Sequence, residues 1–103
     1  MAKLENAYQF DLVKKLESMF PNSIILKNDP NYIQGIADLI VLNGNHYAIL
    51  EVKKDRHAQH QPNQDWYVDR FNQMGAYADF IFPENEAHVL DSIASYFYNA
   101  SRE

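Results

Sequence analysis

The sequence feature that most constrains the fold is a pair of apolar segments, residues 37–42 and 46–53, separated by Asn43-Gly44-Asn45. A short Asn/Gly turn between two apolar runs is the strongest local signal for an antiparallel β-hairpin. Polar residues nevertheless stand at the open end of this hairpin. Asp38 opens the first predicted strand, and Glu51 and Lys53 close the second. Both the fold and the chemistry of the chain should therefore centre on this hairpin.

The rest of the chain supplies elements that pack around the hairpin. Apolar spacing and turn residues predict a mixed four-stranded sheet flanked by helices, an α/β fold in the order αβββαβα. Neighbouring strands of the hairpin should be antiparallel, whereas the helix before the last strand permits a parallel crossover. The predicted helices cover residues 3–20, 63–74 and 85–98, the remaining strands cover 23–27 and 76–82, and loops cover 28–35 and 54–62.

Length and composition narrow the class of protein. We expect residues 1–103 to form a single domain. The chain has no cysteine, which excludes disulfides and cysteine-based zinc sites. Because the first residues are polar and no apolar run is long enough to span a bilayer, we expect an intracellular, cytoplasmic protein without a membrane partner. The net charge of −5 argues against a uniformly basic nucleic-acid binder, although the segment KKDRHAQH at 53–60 forms one basic edge.

The residues at the open end of the hairpin suggest chemistry. Where a hairpin turns near residue 44, the start of one strand meets the end of the other, so Asp38 should lie close to Glu51. Two adjacent carboxylates need a proton or a cation between them, and oxygen ligands suit Mg²⁺ or Mn²⁺. Lys53 shares the strand face of Glu51 and could orient a water or contact a phosphate. The alternative is that these charges face solvent and protect an edge strand.

Glu5 and Gln64 are polar residues on otherwise apolar helix faces. Glu5 falls on the same face of its helix as the residues Leu4, Tyr8, Leu12, Leu16, Met19 and Phe20. A carboxylate there would be paired or would bind a metal, unless it simply occupies the first helical turn, where acids are favoured. Gln64 shares a stripe with Tyr67, Phe71 and Met74, so it should point toward the sheet. The alternative for Gln64 is a hydrogen bond to local backbone groups.

Two other groups of residues carry weaker signals. His57 and His60 are three residues apart, but no third metal ligand accompanies them, so we interpret them as phosphate contacts or as solvated side chains. In the last helix the inward residues should be Leu90, Ile93, Ala94 and Phe97.

Taken in order along the chain, these motifs resemble a known superfamily. Gly35-x-x-Asp38, then Glu51-Val52-Lys53, a basic loop and Gln64 in the next helix are similar to the PD-(D/E)XK nucleases. The order most resembles the virus-type replication-repair nuclease (VRR-NUC) domain and, more distantly, archaeal Holliday-junction resolvases. Ala37 stands where that family usually has proline. This position shapes the backbone and supplies no ligand, so the resemblance still implies activity.

The resemblance implies a restriction-endonuclease-like core that hydrolyses DNA phosphodiesters to a 5′-phosphate and a 3′-hydroxyl. Asp38, Glu51 and the carbonyl of Val52 would hold Mg²⁺ or Mn²⁺, and Glu5 would complete the site directly or through water. Lys53 would position the attacking water, and Gln64 would support the site or the substrate. The DNA-binding residues would be Lys53, Lys54, Arg56, His57 and His60.

The resemblance also implies a substrate class and an assembly. A domain of this size resembles homodimeric resolvases that cut branched DNA such as Holliday junctions, in a bacterial or phage-infected cell. Two other functions stay open. One is a non-catalytic DNA-binding module that keeps the nuclease fold, and the other is a sequence-specific restriction-type nuclease.

Overall fold

A computed structural model describes residues 2–29 and 31–100, and it confirms the predicted αβββαβα order. The sheet order is β1-β2-β3-β4, with β1–β2 and β2–β3 antiparallel and β3–β4 parallel, as predicted. Within the described residues, no helix is long and apolar enough to cross a membrane. The elements are α1 (Ala2–Met19), β1 (Ile24–Lys27), β2 (Leu39–Asn43), β3 (His46–Val52), α2 (Gln64–Gln73), β4 (Tyr77–Ile81) and α3 (Glu86–Ala100).

The turn of the central hairpin is one residue shorter than predicted. Asn43 pairs with His46, so only Gly44 and Asn45 form the turn. Gly44 has a φ of 61°, the positive sign that a two-residue type II′ turn requires at its first central position. The two-residue turn pairs Leu39 with Leu50, which sets Asp38 opposite Glu51.

The two faces of the sheet are covered unequally. Helices α1 and α3 bury one face through side chains such as Leu12, Leu16, Ile93 and Phe97. On the other face α2 packs over a small cluster centred on Ala37, Ile49 and Ala78. Because strand side chains alternate, Glu51 and Lys53 point to the same face as Ile49, the face that α2 covers. The predicted polar site therefore lies beside α2, away from the main core.

Two methionines predicted to face inward are exposed instead. Met19 retains 38% of its accessible surface, whereas Leu12 and Leu16 of α1 and Phe20 just beyond its end are buried in the core. Met74 retains 65%, since it is the C-terminal cap of α2, beyond the last turn that reaches the sheet. The side chain of Leu4 lies outside the described side chains.

Candidate active site

The centre of the site is a carboxylate pair, Asp38 and Glu51, at the open end of the hairpin. The backbone N–H of Val52 donates a hydrogen bond of 2.8 Å to Oδ2 of Asp38. This side-chain acceptor takes the place of a backbone carbonyl. Strand β2 therefore begins at Leu39, two residues later than the predicted start at residue 37. The backbone of β3 therefore fixes the carboxylate of Asp38 directly.

Glu51 is almost fully buried next to Asp38, with 4% of its surface exposed. Burial, together with the hydrogen bond to Asp38 and the negative charge of Asp38, raises the pKa of Glu51 to about 9. A carboxyl group in this position keeps its proton at neutral pH because the nearby ammonium of Lys53, which lowers the pKa of Glu51, does not offset burial and the charge of Asp38. The carboxylate pair thus shares either a proton or a cation.

Glu5 reaches the same site from the first turn of α1. Burial raises its pKa, whereas the nearby ammonium of Lys53 and a hydrogen bond from the backbone of Lys54 lower it. Among residues 2–29 and 31–100, however, no three His, Cys, Asp or Glu side chains are grouped closely enough to hold a metal ion. Glu5 therefore stands beside the carboxylate pair and does not form a three-carboxylate group with it.

Lys53 and Gln64 form a second buried polar pair in the site. The ammonium of Lys53 donates to Oε1 of Gln64 at 2.8 Å and to the carbonyl of Gln59 at 3.1 Å. The same Oε1 accepts a 2.7 Å hydrogen bond from the backbone N–H of Gln61. Both predictions for Gln64 are therefore correct. Its Oε1 accepts a hydrogen bond from the local backbone, and the same atom contacts Lys53 in the site.

The position of Gln64 depends on a close approach of two loops, which the sequence did not reveal. Asn63, the residue before α2, has a φ of 74° in the left-handed region. Gly35 packs against it so tightly that a Cβ at position 35 would lie 2.6 Å from the carbonyl oxygen of Pro62 and 2.7 Å from Cβ of Asn63. The only available signals were the glycine itself and the tolerance of asparagine for positive φ.

A comparison with solved structures finds a domain of similar fold. The chain superimposes on a structure described as a VRR_NUC domain with a TM-score of 0.64 and 26% sequence identity. The match covers 91% of this chain and 98% of the other. The chain therefore resembles a VRR-NUC domain in fold and in sequence, as its motifs predicted. No family model matches the sequence, and no curated protein matches it either.

The carboxylate pair lies between two clefts. The first, the charged cleft, has a volume of about 530 Å³ and is lined by ionisable side chains that include Glu5, Lys53, Lys54 and His57. The second, the amide cleft, has a volume of about 460 Å³ and is lined by Asn31, Gln34, Gly35, Ile36, Gln61 and Gln64 together with the carboxylate pair. The sequence analysis named Glu5, Lys53, Lys54 and His57 of the charged cleft but did not point to Asn31 or Gln34 of the amide cleft.

The basic segment 53–60 divides between the charged cleft and the surface beside it. Lys53, Lys54 and His57 line the charged cleft. Arg56 lies outside the lining, with its Nε 3.5 Å from a carboxylate oxygen of Glu84. His60 also lies outside the lining.

His60 makes two contacts of its own. Its Nδ1 is 2.9 Å from Asp65, and its ring stacks on Phe80 with 3.9 Å between ring centroids. The structure therefore places every residue of segment 53–60 except Arg56 and His60 in the lining of the charged cleft.

Proposed function

We propose that this protein is a divalent-metal-dependent endonuclease that hydrolyses phosphodiester bonds in branched DNA. The observation that carries the proposal is the buried contact between the carboxyl groups of Asp38 and Glu51, next to the ammonium of Lys53. A protein gains nothing in stability from two acids that must share a proton, so this arrangement points to a ligand that supplies positive charge.

The residues present fit a hard divalent cation. Asp38, Glu51 and the carbonyl of Val52 offer only oxygen donors, which Mg²⁺ and Mn²⁺ prefer. Glu5 lines the same cleft, and its charge raises the pKa of Glu51, so Glu5 would contact the cation through a water molecule. When bound, the cation would polarise the phosphate and lower the pKa of an attacking water.

Lys53 and Gln64 would orient the reactants. An ammonium has three N–H groups, and those of Lys53 have two acceptors among the described residues, Gln59 and Gln64. The third is available to the attacking water or to a phosphate oxygen. Gln64 acts as a positioning residue because it aims this ammonium. Lys54 and His57 would line the path of the DNA backbone, and the products would be a 5′-phosphate and a 3′-hydroxyl.

A homodimer would explain activity on a four-way junction. Resolving a junction needs two nicks, and each chain offers one carboxylate pair. A two-fold symmetric dimer would present two such sites and two basic segments. Light scattering at micromolar concentration should then give twice the monomer mass of 12.0 kDa. A monomer that cuts only linear duplex would contradict the junction-resolving version of the proposal.

Cleavage of a substrate panel tests the proposed function. Four-way, flap and linear duplex DNA would be incubated with Mg²⁺, with Mn²⁺ or with EDTA, and the control is the Asp38→Ala, Glu51→Ala double variant. We expect metal-dependent nicks on the branched substrates by the wild-type protein alone. Cleavage of linear duplex at a fixed sequence would favour a restriction-type nuclease.

A non-catalytic DNA-binding module is the other candidate. The absence of a three-carboxylate group among the described residues favours it. Tight binding of DNA without cleavage under any metal condition would establish that function and refute the nuclease.

A further inference from the structure

The amide cleft differs from the charged cleft in its chemistry. Neutral amides line it, from Asn31, Gln34, Gln61 and Gln64, and none of its lining residues is Lys, Arg or His. Asn31, Gln34 and Gln61 are exposed, and their side-chain amides make no hydrogen bond with other parts of the described chain. These amides are therefore available to a ligand.

The lining chemistry selects against phosphate and in favour of a nucleobase. A phosphate in the amide cleft would face the carboxylate pair with no Lys or Arg in the lining to neutralise it. Amide side chains offer one acceptor and two donors each, the pattern that matches base edges. A cleft of about 460 Å³ also lies in the size range of small-molecule sites.

The wall of the amide cleft is held in place before any ligand binds. Gly35 lines the cleft and packs against Pro62 and Asn63 at distances that exclude any side chain at position 35. Asn63 itself has a left-handed φ of 74°, a conformation that asparagine tolerates better than most residues. The two loops that carry Gln34 and Gln61 are thus fixed against each other.

We propose that the amide cleft binds the base of the nucleotide next to the scissile phosphate, in an unpaired conformation. This inference rests on the proposed function, because the carboxylate pair at the boundary of both clefts defines where the phosphate lies. The charged cleft then follows the DNA backbone on one side of the cut, and the amide cleft holds a base on the other side.

The proposal gives a physical reason for a preference for branched DNA. A base enters the amide cleft only after it has left its pair and its stack, which costs free energy in a regular duplex. At a junction or flap the bases at the branch point are already unpaired or readily unstacked. Substrate choice would therefore arise from the cost of freeing one base and would not require a separate recognition domain.

An abasic-site scan tests the amide cleft. A single abasic nucleotide would be moved, one position at a time, across the cut site of a branched substrate, and kcat/KM would be measured. We expect wild-type protein to lose about tenfold at one position adjacent to the cut. The Asn31→Ala, Gln34→Ala double variant should show no such loss, because its cleft no longer recognises the base. Gln73→Ala is the matched control, since Gln73 is an exposed amide at the far end of α2.

Salt dependence separates base contacts from phosphate contacts. Removing a lysine that neutralises a phosphate lowers the slope of log affinity against log salt by about one. The Asn31→Ala, Gln34→Ala variant should weaken binding and leave this slope unchanged, whereas Lys54→Ala should lower it. A reduced slope in the amide variant would mean that the cleft holds a phosphate, and this would overturn the proposal.

The remaining outcomes are decisive as well. The loss of kcat/KM at an abasic position could be equal in the wild type and in the amide variant, or absent at every position. Either result would overturn the proposed base site, whereas cleavage itself would still support the nuclease function. If no metal ion supports cleavage, the proposed nuclease function is refuted. The same abasic-site scan, with DNA-binding affinity measured by fluorescence anisotropy, then tests the base site independently of cleavage.

Discussion

Two buried polar pairs lie within this one site, and they are opposites in energetic terms. Lys53 and Gln64 satisfy each other, and the described residues contain no buried side-chain nitrogen or oxygen that lacks a hydrogen-bond partner. Asp38 and Glu51 are hydrogen-bonded too, but burial and the charge of Asp38 raise the pKa of Glu51, so the pair holds a proton. The Lys53–Gln64 pair can hold geometry, whereas the carboxylate pair identifies where a cation would add the most.

The largest expected effect comes from breaking the Lys53–Gln64 pair on the lysine side. Lys53→Ala should lower kcat by about 10³-fold, because it removes a fixed cation from the position where charge develops. Metal affinity, measured by calorimetry, should be unchanged, since lysine is not a ligand. Lys54→Ala is the matched control and should affect DNA binding more than kcat. A fully active Lys53→Ala protein would remove this residue from the mechanism.

The carboxylate pair should reveal itself through metal-dependent stability. Mg²⁺ at about one hundred times its Kd should stabilise the folded protein by about 2.7 kcal/mol, because the cation binds only the folded pair. Thermal melts with and without Mg²⁺ measure this shift. It should vanish in the Asp38→Ala, Glu51→Ala variant and persist in Asp55→Asn, which alters another acid lining the charged cleft. A shift that survives the double variant would locate the metal elsewhere.

Breaking the Lys53–Gln64 pair on the amide side should cost less. Gln64→Ala should lower activity by about 10–100-fold, as expected for a residue that orients a reacting group without touching the substrate. Gln64→Glu should recover part of this loss, because its carboxylate still accepts from Lys53. If Gln64→Ala leaves kcat and its dependence on pH and metal concentration unchanged, Gln64 only accepts hydrogen bonds from the local backbone and has no role in the reaction.

The smallest effect concerns the proton of the carboxylate pair in metal-free protein. The pKa of Glu51 is raised from 4.5 to about 9, so the folded state keeps a proton that the unfolded state releases. The contribution of Glu51 to stability is therefore complete below pH 4.5 and is lost as the pH rises toward 9. Glu51→Gln mimics the protonated form and should stabilise the protein by about 1–2 kcal/mol at pH 8.

Urea unfolding in EDTA, at pH 5 and at pH 8, measures this difference. The advantage of the Gln variant should shrink at pH 5, which lies close to the unfolded-state pKa of 4.5, because the unfolded chain then gains little by releasing the proton of Glu51. An equal advantage at both pH values would show that the variant acts through packing and not through the proton.

The sequence predicted which residues form the site, but it missed the contact of Lys53 with Gln64 and the amide cleft, for one physical reason. The contact of Asp38 with Glu51 follows from strand alternation and the position of one turn, both of which are local. Even there the turn length was wrong by one residue, and in a sheet that difference decides which residues face each other. The Lys53–Gln64 contact and the amide cleft depend on the packing of Gly35 against Asn63, which no local pattern encodes.

The parallel pairing of β3 with β4 has a consequence for the order of folding. Strands β1 to β3 pair through short connections, whereas β4 joins β3 only after a loop and a helix have closed between them. Such long-range pairing forms later because its chain entropy must be lost first. The N–H of Lys53 bonds to the carbonyl of Ile81, one residue past the last strand pair, so the lysine is fixed only when β4 docks. We expect pulsed hydrogen exchange to protect β2 amides before that of Lys53, so a refolding chain would complete its candidate site only when β4 docks.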